Sequence, residues 1–240
     1  MTPIIGIVDL GRRDYHDALA LQRAARLARL DGRLGEDLLL LVEHDPVYTL
    51  GRGTQAASLP IAPEALREHG ADVIEIERGG DVTWHGPGQL VGYPILDLRQ
   101  HREDLHWYLR TIEAALIGAL ARLGIPAGRV AGKTGVWTGG RKIASIGVHV
   151  KQWITLHGFA LNVHPDLGWF QWIVPCGIHG VEMTSVRREI GADPADADLW
   201  RATSDAVVAE FAAAFDRRPE PRPIAELEAA IASATIPALE

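Results

Sequence analysis

A glycine-rich stretch at residues 78–94 constrains the fold of this chain more than any other feature. It reads Arg-Gly-Gly-Asp-Val-Thr-Trp-His-Gly-Pro-Gly-Gln-Leu-Val-Gly-Tyr-Pro and mixes five glycines with apolar and aromatic residues. A disordered linker lacks such apolar residues, and a regular strand does not tolerate this many glycines. The Gly-Gly and Gly-Pro-Gly sequences therefore predict two bends on either side of a short β-prone piece, residues 82–85.

The residue types in this stretch allow two interpretations. One is a buried hairpin with two turns. The other is a pocket wall made of bare backbone, with the titratable ring of His85 at its lip, because glycine lets a main chain approach another group closely.

Composition narrows the class of protein. The 240 residues are 47% hydrophobic and carry a net charge of −7, which fits one globular domain over residues 1–240 and argues against a nucleic-acid partner. We see no signal peptide and no apolar run long enough to cross a bilayer. The single cysteine, Cys176, excludes an internal disulfide and suits a reducing cytoplasm. The histidines form no compact metal pattern, so we expect no metal.

The hydrophobic periodicity predicts an α+β fold with mixed β-sheets flanked by helices. Strands are expected at residues 3–10, 38–42, 73–77, 90–96, 134–137, 142–150 and 154–163. Helices are expected at residues 14–30, 63–69, 105–123, 194–215 and 224–232, the fourth capped by Asp193. A proline-rich bend at 219–223 is predicted to separate the last two helices.

Cys176 is a candidate nucleophile. A lone cysteine is more often a small buried hydrophobe, but here Pro175 restricts the backbone before it and Gly177 gives access after it. The Gly177 N–H is then a candidate oxyanion donor. A thiol titrates near about 8.5 and needs a nearby base or cation to form the thiolate at neutral pH. His85 and Lys142 are both candidates, and the residues alone do not choose between them. The alternative interpretation of Lys142 is a solvent-exposed residue on a strand, without a role in the site.

Five segments together resemble a known family. Besides 78–94, they are Glu-His-Asp-Pro-Val-Tyr-Thr-Leu-Gly-Arg at 43–52, Gly-Arg-Lys-Ile-Ala-Ser-Ile-Gly-Val at 140–148, His-Gly-Phe-Ala-Leu-Asn at 157–162 and Pro-Cys-Gly-Ile at 175–178. They resemble the signatures of lipoyl(octanoyl) transferases over roughly residues 40–190. The resemblance implies a lipoate/biotin protein ligase-like catalytic domain. The departures, at Asp81, Ser145 and 179–183, are small.

The resemblance also implies an activity. Octanoyl transfer from acyl carrier protein to a lysine of a lipoyl domain is the first committed step of lipoate biosynthesis and protein lipoylation. The implied acceptors are the lipoyl domains of 2-oxoacid dehydrogenase E2 subunits and the glycine cleavage H protein, with no cofactor beyond the phosphopantetheine of the carrier protein and no membrane. By the same resemblance, Cys176 carries the acyl thioester and Lys142 lowers its pKa. The implied substrate-binding residues are Arg78, Gly79, Gly80, Asp81, Val82, Thr83, Trp84, His85, Ser145, Ile146, Gly147, Gly158, Phe159 and Ala160.

Two rival functions remain at this point. An ATP-dependent lipoate-protein ligase would consume ATP, and the family cysteine argues against it. A non-catalytic medium-chain acyl-binding protein would bind the acid without needing Cys176. We also expect a cationic rim around the site mouth for acidic partner proteins, formed by Arg52, Arg129, Lys133, Arg141, Arg187 and Arg188.

Overall fold

The structure, a computed structural model, describes residues 2–174, 180–193, 196 and 198–232. Its strands are β1 (Ile4–Arg13), β2 (Asp37–His44), β3 (Val47–Leu50), β4 (Asp72–Glu75), β5 (Thr83–His85), β6 (Gln89–Ile95), β7 (Gly128–Val130), β8 (Lys133–Thr138), β9 (Arg141–Lys151), β10 (Ile154–Asn162) and β11 (Arg218–Pro221). Its α-helices are α1 (Tyr15–Leu30), α2 (Pro63–Glu68), α3 (Leu105–Arg122), α4 (Val186–Ile190), α5 (Asp198–Ala214) and α6 (Ile224–Ala232).

Within these residues, eight strands form one mixed sheet in the order β11-β1-β2-β6-β10-β9-β8-β7. β1 runs parallel to β2 and β11, and the remaining neighbours are antiparallel. The aliphatic run in β2 is buried because helices cover both faces of the sheet. Leu38 and Leu40 face the core under α1 and α6, while Leu39 and Leu41 join the core with α3 and α5. The predicted α+β class with mixed sheets is therefore confirmed.

A second sheet has the order β4-β3-β5. β5 pairs with β3, whereas β6 pairs with β2 and β10. The buried-hairpin interpretation of the glycine-rich stretch is therefore wrong: the bend after His85 carries the chain from the small sheet to the large one. Gly88 occupies the left-handed region there, with φ +83°, which glycine tolerates best.

Local signals position the first helix. The Asp14 side chain accepts hydrogen bonds from the N–H groups of His16 and Asp17, which satisfies two otherwise unpaired donors at the helix start. The predicted cap and end of this helix agree with the structure. They matter for the site because α1 packs over β6 and β10.

The C-terminal region differs from the prediction in two places. The expected proline-rich bend is partly strand β11, which pairs with β1 from Ile4↔Arg218 to Ile7↔Pro221. Prolines are tolerated in this strand because it lies at the sheet edge. The helix expected from residue 194 begins at Asp198, whose N–H donates to Asp196; Asp193 is not its cap, and Pro194 lies outside the described residues. The sequence patterns also missed the short elements β7 and α4.

Candidate active site

An apolar slot lies between the two sheets. Its residues come from the three segments predicted to bind substrate, and they are Arg78, Gly80, Asp81, Val82, Thr83, His85, Ser145, Ile146, Gly147, Gly158, Phe159 and Ala160, joined by Tyr15, Val91, Tyr93 and His157. Twelve of the fourteen predicted substrate residues thus line one cavity. Topology brings them together, since β9 and β10 pair in the register Ser145↔Ala160 and Gly147↔Gly158.

Two of the predicted residues lie elsewhere. Trp84 points away from the slot and is 1% exposed, with its ring stacked on Trp169 at 5.8 Å between centroids. Gly79 lines a wider neighbouring chamber instead, and its N–H donates to Val148 O at 2.8 Å. Trp84 thus helps hold the small sheet in place, and Gly79 joins that sheet to β9.

Glycine is required where the slot walls are backbone. A Cβ on Gly147 would lie 3.1 Å from Gly79 O, and one on Gly158 would lie 2.1 Å from Gly92 O. The second contact is far below any tolerated separation, so a side chain there would push β6 and β10 apart. The glycines therefore set the separation of the slot walls.

Arg78 holds in place the slot wall that residues 78–85 form. It is 6% exposed, and its Nη2 donates to Thr49 O at 2.6 Å and to Thr49 Oγ1 at 3.0 Å. Its Nη1 donates to Gly79 O at 3.0 Å. A charge this buried is retained because it is hydrogen-bonded on several sides, and here the bonds tie β3 to the bend that lines the slot.

His85 lines the slot as a neutral ring. Burial, followed by the neighbouring His44, lowers the pKa of His85 to about 3. Its Nδ1 lies 2.7 Å from Gln89 Oε1, and Gln89 Nε2 donates to Asn162 Oδ1 at 2.9 Å, so Nδ1 carries the hydrogen. At neutral pH, His85 does not supply a cation that would stabilise a thiolate.

Lys142 is the other candidate, and it lies at the start of β9 with only 2% of its surface exposed. Its Nζ is 5.7 Å from the centre of the Trp137 ring. It lines the wider chamber of about 310 Å³, which shares Gly80, Asp81, Ile146 and Gly147 with the slot. The slot and the lysine chamber are therefore adjoining spaces.

Cys176 and Gly177 lie outside the described residues, so the expected thiol–lysine contact stays a prediction. The chain is anchored on both sides of them. Before the segment, Val174 N–H donates to Ser58 O at 2.9 Å, and Ser58 Oγ in turn donates to Asp81 Oδ2. After it, Lys142 N–H donates to Glu182 O at 2.8 Å, and Lys142 O accepts from Thr184 N–H at 2.9 Å.

The expected cationic rim is reduced by ion pairs. Arg129 pairs with Glu113 at 2.7 Å, Arg141 with Glu189 at 2.9 Å and Arg188 with Glu182 at 2.8 Å. Across the described part of the chain, Arg52, Lys133 and Arg187 have no acidic group within ion-pair distance. Of these, Lys133 lines the chamber beside Lys142.

Two further findings concern the described residues alone. No cluster of three metal-ligating side chains occurs among them. None of their helices combines the length and apolar character needed to cross a membrane.

Comparison with known proteins gives the family. Residues 14–214 match the family model "Lipoyl protein ligase A/B catalytic domain". The chain belongs to this family. A curated octanoyltransferase of Geobacter sulfurreducens is 54% identical over 77% of this chain and 75% of its own length. One from Gloeobacter violaceus is 52% identical over 72% of this chain and 75% of its own length.

Solved lipoyl protein ligases share the fold. Lipoate-protein ligase A bound with ATP superposes with a TM-score of 0.73 at 16% identity, over 97% of this chain and 93% of that chain. A bi-partite lipoate protein ligase from Thermoplasma acidophilum gives 0.73 at 18% identity, over 95% and 91% of the two chains. The predicted ligase-like fold and the resemblance to octanoyltransferases are both confirmed.

Sequence reasoning missed four slot residues of this family member: Tyr15, Val91, Tyr93 and His157. His157 had a signal, because it stands directly before the predicted Gly158 in the same segment. Tyr15 had none, since it comes from α1 and reaches the slot only through the packing of that helix on β6 and β10.

Proposed function

We propose that this chain transfers an octanoyl group from acyl carrier protein to the ε-amine of a lysine on a lipoyl domain. Lipoyl domains of 2-oxoacid dehydrogenase E2 subunits and the glycine cleavage H protein are the proposed acceptors. One observation carries the proposal: three segments far apart in sequence line a single apolar slot that adjoins the chamber of Lys142. The high identity to curated octanoyltransferases supports the same activity.

The span of the slot is similar to the length of an extended eight-carbon chain. It crosses the large sheet from β9 over β10 to β6, two strand spacings or about 10 Å. Seven C–C bonds of about 1.5 Å in a zigzag span roughly 9 Å when extended. Each buried methylene contributes about 0.8 kcal/mol, so walls such as Val91, Phe159 and Ala160 supply useful binding energy.

The reaction proceeds by two acyl transfers. The Cys176 thiolate attacks the donor thioester carbonyl, a new C–S bond forms, and the old one breaks to release the carrier's thiol after it takes up a proton. The acceptor amine then attacks the cysteine thioester, a C–N bond forms, and the Cys176 sulfur leaves. One thioester replaces another in the first step, so no ATP is consumed.

Lys142 moves the protons in this proposal. As an ammonium beside Cys176 it stabilises the thiolate, gives its proton to the departing thiolate of the carrier, and later takes one from the attacking amine. The neutral state of His85 removes the competing candidate for the cation. The Gly177 N–H is the proposed oxyanion donor.

Intact mass spectrometry tests the proposal. Purified protein incubated with octanoyl carrier protein, without ATP, should gain one octanoyl group that hydroxylamine removes, and Cys176→Ser should not. A hydroxylamine-labile octanoyl mass on Cys176→Ser would contradict the mechanism. A mass gain that requires ATP would indicate a ligase, and tight octanoate binding with no mass gain would indicate an acyl-binding protein.

Alkylation by iodoacetamide tests the lysine. Lys142→Ala should slow alkylation of Cys176 near neutral pH, because the thiol loses its neighbouring cation. Lys133→Ala is the matched control, since it removes a second lysine that lines the same chamber. Equal alkylation rates in Lys142→Ala and the parent would refute the role of Lys142.

A further inference from the structure

One buried histidine of the slot has no hydrogen-bond partner for its ring. His157 is 1% exposed and lines the slot, and neither Nδ1 nor Nε2 has a partner among the described residues. Glu77 Oε2 lies 3.6 Å from Nε2, which is too long for a hydrogen bond. Buried polar groups are nearly always hydrogen-bonded, so this ring calls for an explanation.

The surroundings of His157 lie on the side of the slot away from Lys142. Its backbone N–H donates to Gln22 Oε1 at 3.2 Å, and Gln22 Nε2 has no hydrogen-bond partner in the part of the chain that the structure describes. Gln22 and the slot residue Tyr15 both belong to α1. None of these residues lines the lysine chamber. Tyr15 of α1 and His157 therefore bound a part of the slot that the chamber does not share, and this part is called the inner end of the slot.

The backbone holds the ring in this place. His157 has φ +59°, a left-handed conformation that is uncommon for a residue with a side chain. Burial is the main cause that lowers the pKa of His157, against the raising effect of Glu77. The ring is therefore neutral at pH 7 and presents one N–H and one lone pair.

We propose that His157 determines chain length: its unpartnered ring nitrogens make the inner end of the slot polar, and that end stops an acyl chain at eight carbons. This inference rests on the proposed function, in which the slot holds the octanoyl group. A methylene beyond the eighth carbon would be forced against polar atoms whose hydration it prevents, which is unfavourable. Shorter chains make fewer contacts with the apolar walls. The slot therefore binds most tightly the acyl chain that just reaches the end of those walls.

The test compares two substitutions of similar size in the full-length protein. His157→Leu makes the end apolar, and His157→Gln keeps it polar. Binding of straight-chain acids with 6, 8, 10 and 12 carbons is measured by calorimetry, and urea unfolding establishes that each variant is folded. His149→Leu is the control, because His149 lies on β9 opposite Leu156 and outside the slot lining.

His157→Leu should shift the preference from 8 toward 10 carbons, raising the affinity for the longer acid relative to the shorter by up to about fourfold per methylene, or about 16-fold in all. His157→Gln and His149→Leu should keep the parent's optimum. Equal shifts in the Leu and Gln variants would show a steric role and overturn the proposal, as would no shift in either.

A second variant covers the case in which His157→Leu does not fold. His157→Met makes the same end of the slot apolar with a flexible side chain that fills irregular space more readily, and it should move the preference in the same direction; an unchanged optimum would overturn the proposal. If the parent binds none of the acids, the proposed function fails. If it prefers 8 carbons and the variants do not respond, only the assignment to His157 fails.

Discussion

Gly135 gives the sharpest test of how the fold positions Lys142. It lies on β8 with φ +125°, and a Cβ there would stand 2.8 Å from Lys142 Cε and 2.7 Å from Ala144 O. Its N–H donates to the buried carboxylate of Glu113 at 3.2 Å, so β8 is held in place and does not move away easily. The Gly135→Ala substitution should therefore displace the lysine side chain.

The magnitude follows from two terms. A strained backbone conformation costs on the order of 1–3 kcal/mol, and overpacking against a fixed carbonyl adds about 1–3 kcal/mol. We expect Gly135→Ala to lower the free energy of unfolding by about 2–6 kcal/mol. Gly140→Ala is the matched control: Gly140 has φ +80°, but a Cβ there meets nothing within 4 Å, so only a strain of about 1–2 kcal/mol remains.

Urea unfolding followed by circular dichroism measures the stability of both variants. Iodoacetamide alkylation of Cys176, under conditions where both are folded, reports the position of the lysine. Alkylation should slow in Gly135→Ala and stay at the parent rate in Gly140→Ala. If the two variants lose equal stability and react at equal rates, the contact between Gly135 and Lys142 does not matter and the reasoning is refuted.

Three further outcomes are expected. Asp37→Asn should destabilise the fold by about 3–5 kcal/mol, because it breaks buried pairs with basic groups at 2.7–3.2 Å. Burial raises the pKa of Asp37, but His101 and Arg29 outweigh this effect and hold the pKa below its usual value. The stability that ionised Asp37 contributes should therefore be present above about pH 4 and be lost on further acidification. Urea titrations at a series of pH values measure it. Gly147→Ala should weaken octanoate binding in calorimetry by about 1–3 kcal/mol, since its Cβ would crowd the opposite wall. Because the pKa of His85 is lowered to about 3 in the folded chain, this ring takes up a proton near about pH 6.5 only when the chain is unfolded. The free energy of unfolding should therefore fall as the pH drops below about 6.5, and it should fall less steeply in His85→Gln.

The sequence predicted those features whose signal is local. Asp14 is followed by a periodic helix, and the aliphatic run from Leu38 was long enough for a buried strand and too short for a helix. A wall of bare backbone is one of the two interpretations that the glycine-rich stretch allows, and Gly80 and Asp81 do line the slot.

Features that depend on distant packing were not predictable in the same way. β11 contains two prolines and becomes a strand only because β1, more than two hundred residues earlier, offers a free edge. Trp84 stands within the predicted wall, yet it packs on Trp169 because β5 pairs with β3 and turns this ring to the other side. The burial of the His157 ring, which makes no hydrogen bond to the residues that the structure describes, likewise depends on α1 lying over β10.

The two outer strands of the large sheet bear on edge-to-edge pairing between copies of this chain. β11 ends one side with Pro219 and Pro221, which have no N–H to offer an incoming chain, and β7 ends the other with three residues. Neither border can readily template growth of the sheet into a neighbouring molecule. A chain truncated before Arg218 would instead present ten-residue β1, with Ile4, Ile5 and Ile7, as an open border, and we expect it to aggregate where the longer chain stays dispersed.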